Sequence, residues 1–312
     1  MSVSLVSDGF YIGDDVVLNS IYEIETTEKR TEYLKKLLVN VGGDATYITD
    51  VNSDSIFTTL LNHYTRVVAD GGKVYSLSGT LKAIVFSLKN SLTATLFSAY
   101  SPDFGLKLNG SSVIKVYDLN GRDFELLSTG SLERTIEGKL NVIKNLISTT
   151  MISKINSIAG GQGMILGACV HDADAGSAST QSVRGMYMSD NPNAAGTSLG
   201  HIETNAGGQT RMYYRRQADD TLTSLPYDQT TNYKKFSGLV GYMSNSNSRV
   251  EIYENGSIKA GSTAAQKNIS GTGIYPTMTM SSNNSLFSES WIINSNSQAL
   301  AIALSNHLNK SV

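Results

Sequence analysis

Glycoside hydrolysis needs two carboxylates about 5 to 9.5 Å apart, one to deliver a proton and one to attack or to activate water. The nearest such pair on a strand-like run is Glu251 and Glu254. At a spacing of three, a regular strand turns them to opposite faces. They do not converge on one bond, and no enzymatic activity is expected. A second chemistry is offered by His171-Asp172-Ala173-Asp174-Ala175-Gly176-Ser177. Asp172 and Asp174 supply clustered hard oxygens of the kind calcium selects. An ordinary loop would read the same way, because Asp and Gly are turn formers. No other cofactor is expected. Gly160-Gly161-Gln162-Gly163 lacks the lysine and the helix of a phosphate loop. His63, His201 and His307 are scattered, without metal-ligand spacing.

The third candidate is a contact surface. In Arg211-Met212-Tyr213-Tyr214-Arg215-Arg216, strand alternation puts Arg211, Tyr213 and Arg215 on one face, with Met212, Tyr214 and Arg216 on the other. Arginine and tyrosine are enriched at interface hot spots, and arginine's planar group stacks on other flat surfaces. A partner protein or a glycan would suit that face, and so would plain solvent. Trp291, the only tryptophan, stands beside Ile292 and Ile293 and reads as core. Cys169, the only cysteine, sits in the apolar run 164–170 and reads as a small buried hydrophobe.

These residues need elements to position them. Helical spacing of apolar residues predicts helices over about 25–39, 54–68 and 78–89, the first two ended by Gly42-Gly43 and Gly71-Gly72. Each is too short to stand alone in water, so they must pack together or on a partner. Short β-like pieces at 3–6 and 10–12 precede them. From about Thr93 the period changes to two. Strands are predicted at 96–100, 105–108, 113–117, 124–127, 164–170, 183–188, 209–216, 238–243, 249–254 and 275–281, and around 288–294. Asn109-Gly110, Asn120-Gly121 and Asn255-Gly256 are hairpin signals between such runs. A last amphipathic helix is predicted over 298–308. Many short strands with turn residues between them argue a sandwich or jelly roll.

Bulk composition narrows the function. Charged residues are 17% of the 312, below the roughly 25% typical of soluble proteins. The formal net charge is −2 and there is no lysine/arginine block, so nucleic acid is not an expected partner. No apolar run approaches the 18 to 20 residues of a membrane helix, and a membrane is not expected either. The N-terminus lacks the basic flank and apolar core of a signal peptide.

Several segments resemble a bacteriophage family that carries a laminin-G/concanavalin-like domain behind a short helical module. They are Arg66-Val67-Val68-Ala69-Asp70-Gly71-Gly72, the run from Ala99 to Leu108, Val116-Tyr117-Asp118-Leu119-Asn120-Gly121, the hairpin from Val250 to Gly256, and the closing strand and helix from Phe287 to Leu308. The resemblance implies a mainly β protein, a jelly-roll sandwich over 93–312 preceded by a small helical docking or oligomerisation module over 1–92. It implies a structural part of a virion: a fibre, decoration or other surface-exposed component. A capsid shell tile built on the jelly roll and a carbohydrate-binding module for host adsorption are the alternatives. The expected partners are other virion proteins, further copies of the chain (a trimer is one such arrangement), and a host-surface glycan. Leu60, Leu61 and Tyr64 on the second helix, with Arg211, Tyr213 and Arg215, are the expected contact residues.

Overall fold

The computed structural model describes residues 26–92, 97–126, 130–138, 140–147, 149–153, 158–159, 161–172, 182–189, 198–205, 209–228, 237–269, 273–280 and 285–309. The β-like pieces expected at 3–6 and 10–12 lie outside these. The chain divides into two compact units, the first comprising residues up to Ser91 with Asp103–Leu106, the second Leu92–Pro102 with Lys107 onward.

The first unit is helical: α1 (Thr27–Asn40), a 3-10 turn (Ala45–Tyr47), α2 (Ser53–Ala69) and α3 (Leu77–Lys89). Side-chain oxygens cap the starts of two of these three α-helices, Thr26 accepting from Lys29 N and Ser76 from Gly79 N, which satisfies donors that have no partner within the helix. Gly42 and Gly71 adopt φ of 65° and 76°, the left-handed conformation that ends a helix without steric cost. Apolar stripes (Leu34 and Leu38 on α1, Ile56, Leu60 and Val67 on α2, Leu81 and Ile84 on α3) are all buried. The segment Asp103–Leu106 joins this core: the Phe104 carbonyl lies 2.7 Å from His63 Nε2, and Lys73 and Leu106 exchange backbone hydrogen bonds.

One expectation is corrected here. Leu60 and Tyr64 are 3% and 5% exposed, and Leu61 is half-buried. The apolar face of α2 is consumed by packing within the chain, so Leu60 and Tyr64 are not a partner surface.

The second unit is built of antiparallel strands. In chain order they are β1 (Phe97–Tyr100), β2 (Leu106–Asn109), β3 (Ser112–Val116), β4 (Phe124–Leu126), β5 (Ser131–Glu137), β6 (Leu140–Ile147), β7 (Thr149–Ser153), β8 (Ile158–Ala159), β9 (Gly163–Asp172), β10 (Ser182–Ser189), β11 (Ser198–Asn205), β12 (Gln209–Arg215), β13 (Leu222–Asp228), β14 (Ser237–Ser244), β15 (Arg249–Glu254), β16 (Ser257–Ser262), β17 (Gly273–Met280) and β18 (Ser285–Asn294). The helix α4 (Gln298–Leu308) follows.

Pairing sorts most of them into two layers. One runs β16-β15-β14-β9-β18, with β1 along the C-terminal half of β18 and β6 against its start. The other runs β13-β12-β11-β10-β17-β7-β4-β3. The β5–β6 hairpin bridges them, β5 touching β3 and β6 touching β18. The first and last strands lie side by side, as in a jelly roll.

The core follows from strand alternation. On β9, Met164, Leu166 and Ala168 point between the layers, where Ile202, Met212, Ile252 and Ile292 are also fully buried. Gly241 of β14 marks how closely the layers approach, since a Cβ there would stand 2.2 Å from Met212 Sδ. Tyr100 of β1 meets Phe124 of the opposite layer at 3.9 Å between ring centroids. The outer face of the β14-β9-β18 layer is closed by α4, which buries Leu300, Ala301, Leu304 and Leu308. Each leucine so buried is worth about 1.5–3 kcal/mol. Gly167 admits the helix, because a Cβ there would meet Leu308 and Leu304 at 2.7 and 2.8 Å. Trp291 lies under the helix with no exposed surface, stacked on Phe97 at 5.4 Å, so it is core as its neighbours in sequence imply.

Candidate binding face

Strand β12 carries the candidate surface. Met212 and Tyr214 are buried, and Met212 points at Gly241 of the opposite layer. Alternation therefore turns Arg211, Tyr213 and Arg215 to the outer face, where all three are partly exposed. Arg211 Nη1 donates to the Tyr213 hydroxyl at 3.4 Å, across one strand repeat on that face. In register, Arg211 stands between Glu203 of β11 and Pro226 of β13, and Tyr213 between His201 and Ser224.

Arg215 is held at the strand's end. Its Nη1 donates to the Asp220 carbonyl at 2.8 Å and lies 3.5 Å from that residue's carboxylate. Lys267 also binds the Asp220 carboxylate at 2.8 Å, and these cations hold its carboxyl below the usual range. Arg216 leaves the alternation of β12. It pairs with Gln266 across an isolated bridge and binds the Asp219 carboxylate within the turn.

The arrangement presents one aromatic ring flanked by two guanidinium groups on the outer face of the sheet. An aromatic ring offers a flat apolar surface with a polar tip, and guanidinium offers planar donors. Such a face can stack on a sugar ring and hydrogen-bond its hydroxyls, or receive a protein surface.

The other candidates fare differently. Glu251 and Glu254, each 3% exposed, face opposite sides of β15. On the α4 side Glu251 accepts from Gln298 Nε2 at 2.8 Å, Arg249 Nη1 at 3.0 Å and the Tyr253 hydroxyl. On the inner side Glu254 accepts from the Tyr227 hydroxyl at 2.9 Å, tying β15 to β13. Burial and this carboxylate together push the Tyr227 phenol up to about 12. Asp172 is the last residue of β9, opposite Ser285, whereas Asp174 lies outside the described residues. Among the described residues no three His, Cys, Asp or Glu side chains group to hold a metal ion, and no helix is long and apolar enough to cross a membrane. Cys169 is buried on β9.

Two clusters escape a reading of the sequence. Asp118 is fully buried and gathers four donors: Ser98 Oγ at 2.6 Å, Ala99 N at 2.7 Å, Asn120 N at 2.6 Å and Arg122 N at 3.2 Å. Burial pushes its carboxyl above the usual range, against the pull of those donors. The Asp-x-Asn-Gly spelling of the loop signals a turn but not its anchoring to β1. The second cluster is Glu289, Trp291 and His307, assembled from β18 and α4. Only the i, i+2 spacing of Glu289 and Trp291 hints at it.

No protein-family model and no curated protein matches the chain. Among solved structures it is similar to the botulinum neurotoxin serotype D ligand binding domain in complex with N-acetylneuraminic acid, at 11% identity and a TM-score of 0.45 over 70% of this chain and 51% of that one. It is also similar to Trypanosoma rangeli sialidase, at 13% identity and a TM-score of 0.44 over 74% and 39%. A third is domain 4 of an extracellular arabinanase from Geobacillus stearothermophilus, in complex with arabinotriose, at 11% identity and a TM-score of 0.37 over 57% and 82%. The chain spans about half the length of the toxin chains it matches.

Proposed function

We propose that this chain is a non-catalytic binding protein whose β-sandwich recognises a glycan through the outer face of β12. The observation that carries the reading is the Arg211–Tyr213 pair, set outward by the burial of Met212 and Tyr214 and coupled by the hydrogen bond at 3.4 Å. Hydrolysis has no place in it, since Glu251 and Glu254 are buried on opposite sides of one strand, each occupied by structural partners. The resemblance to phage proteins supplies the setting: a surface component of a virion, joined to the particle through the helical unit and adsorbing to a host glycan. Sugar complexes of the toxin and arabinanase domains make sialylated and arabinose-containing glycans the first to screen. The test is a glycan array probed with the full chain displayed multivalently, alongside Tyr213→Ala. Binding that Tyr213→Ala abolishes supports the reading, and no binding to any glycan, or binding indifferent to Tyr213, overturns it.

A second reading, a fibre, decoration or shell component engaged only through protein contacts, is favoured by Ile136, Leu146 and Ile147. These apolar side chains of the β5–β6 hairpin are 40%, 39% and 58% exposed. Light scattering separates the cases: regular large assemblies or a discrete oligomer disrupted by Ile147→Asp support protein contact at that hairpin, and a strict monomer removes self-association.

A further inference from the structure

Glu289 is an acid buried beneath α4, its side chain 4% exposed. A buried carboxylate is costly unless it is hydrogen-bonded and its charge is compensated. Two donors converge on a single oxygen, Oε1: the Trp291 indole N–H at 2.7 Å and His307 Nε2 at 2.9 Å. The His307 side chain is 6% exposed, and its ring meets Trp291 edge-on at 5.6 Å between centroids. His307 occupies the last turn of α4, where a positive charge also complements the helix dipole. Glu289 and Trp291 belong to β18. This contact thus joins the end of the closing helix to the sheet it covers.

We propose that Glu289 and His307 form a proton-operated latch on α4, closed while the imidazole is cationic and loosened when it loses its proton. A neutral imidazole still donates through Nε2, but the bond no longer joins two opposite charges and loses the strength that charge assistance gives it. Among the described residues, Lys144 of β6 stands opposite Leu286, three residues before Glu289. From β9, the residue paired with Glu289 is Cys169. From β1, the facing residues are Phe97 and Ala99, which do not titrate. From β14 and β15, Tyr242, Glu251 and Tyr253 serve the opposite end of the helix, with Arg249 on Glu251. Within α4, His307 is the one ionisable side chain. The sign follows: a histidine that gains an acidic partner on folding contributes stability that is complete below the free imidazole value of about 6.5 and is lost as pH rises through its value in the fold.

Because Trp291 is the only tryptophan, its emission reports this site alone. The experiment follows intrinsic fluorescence and Tm of the full chain from pH 5 to 9, for the parent and for His307→Gln. In the parent, emission is expected to change in one step with a midpoint above about 6.5, and Tm to fall by roughly 2–4 °C across that step. His307→Gln is expected to lose both changes. A flat emission curve in the parent, or the same step retained in His307→Gln, overturns the latch. Should His307→Gln not fold, the parent suffices: the imidazole with a nuclear Overhauser contact to the Trp291 indole must titrate above about 6.5, and a midpoint below that overturns the proposal.

Discussion

Gly238 of β14 lies directly beneath Ser305 of α4. The Ser305 hydroxyl donates to the Gly238 carbonyl at 2.8 Å and accepts from Gly256 N at 3.1 Å, so one side chain fastens the closing helix to a strand and to the β15–β16 turn. A Cβ at position 238 would stand 2.2 Å from the Ser305 carbonyl oxygen and 2.8 Å from Asn309 N, both backbone atoms. The helix can sit this low because that residue has no side chain.

Gly238→Ala is therefore expected to lift α4 and to destabilise the sandwich by about 1–3 kcal/mol. Gly261→Ala is the matched control, since its nearest neighbours would be 3.7 Å away, ordinary contact. Urea denaturation of the two variants should separate them clearly. Equal midpoints would refute the close approach.

Asp118→Asn tests the buried hub. Oδ2 accepts from Ser98 Oγ and Ala99 N, and Oδ1 from Asn120 N and Arg122 N. Either orientation of an amide would place its NH2 against at least one backbone N–H, and a cost of about 1–3 kcal/mol is expected. Thermal melts would show it, and an unchanged Tm would mean the loop is held by other contacts.

Acid should loosen the helical unit. Asp44 is pulled down to about 2 by the Thr46 hydroxyl, Lys89 and Thr46 N, and Asp54 is lowered by Arg30 and Thr27. A depressed carboxyl contributes stability that is present above its unfolded value of about 3.9 and disappears as pH falls through the folded value. Both groups are exposed, so each effect is small. The helical circular dichroism signal should decline from about pH 4 downward, and the Arg30→Ala/Lys89→Ala double variant should show a weaker dependence on acid. An identical acid profile in parent and variant would argue against these pairs.

At the binding face, Tyr213→Ala should weaken glycan binding about tenfold or more, the scale of a hot-spot aromatic. Its Tm should stay close to the parent's, because the ring lies on the outer face. Thr223→Ala, on the neighbouring strand opposite the buried Tyr214, should leave binding intact. Surface plasmon resonance on the best glycan ligand decides between them.

Much of the architecture was legible in the sequence because local periodicity encodes it. The four α-helices of the described residues fall where apolar spacing puts them, the first two ended by double glycines, and α4 matches its expected span. Asn255 and Gly256 both take positive φ, 49° and 77°, as a two-residue hairpin turn requires, so that pair alone fixed the β15–β16 hairpin. Likewise the spacing of Glu251 and Glu254 sufficed to separate them. Strands β5 and β6 were not legible: Leu132-Glu133-Arg134-Thr135-Ile136-Glu137 mixes charge with apolar residues because the hairpin bridges two layers and buries little beyond Leu132, Val142 and Ile143. The apolar face of α2 showed that something must cover Leu60 and Tyr64, but only the tertiary structure decided that the cover is this chain itself. For the same reason Asp118 and the Glu289–His307 pair stayed hidden. Their partners are set by strand register and helix docking across 18 to 20 residues of chain, and a one-dimensional pattern records which face a residue takes, not what waits on it.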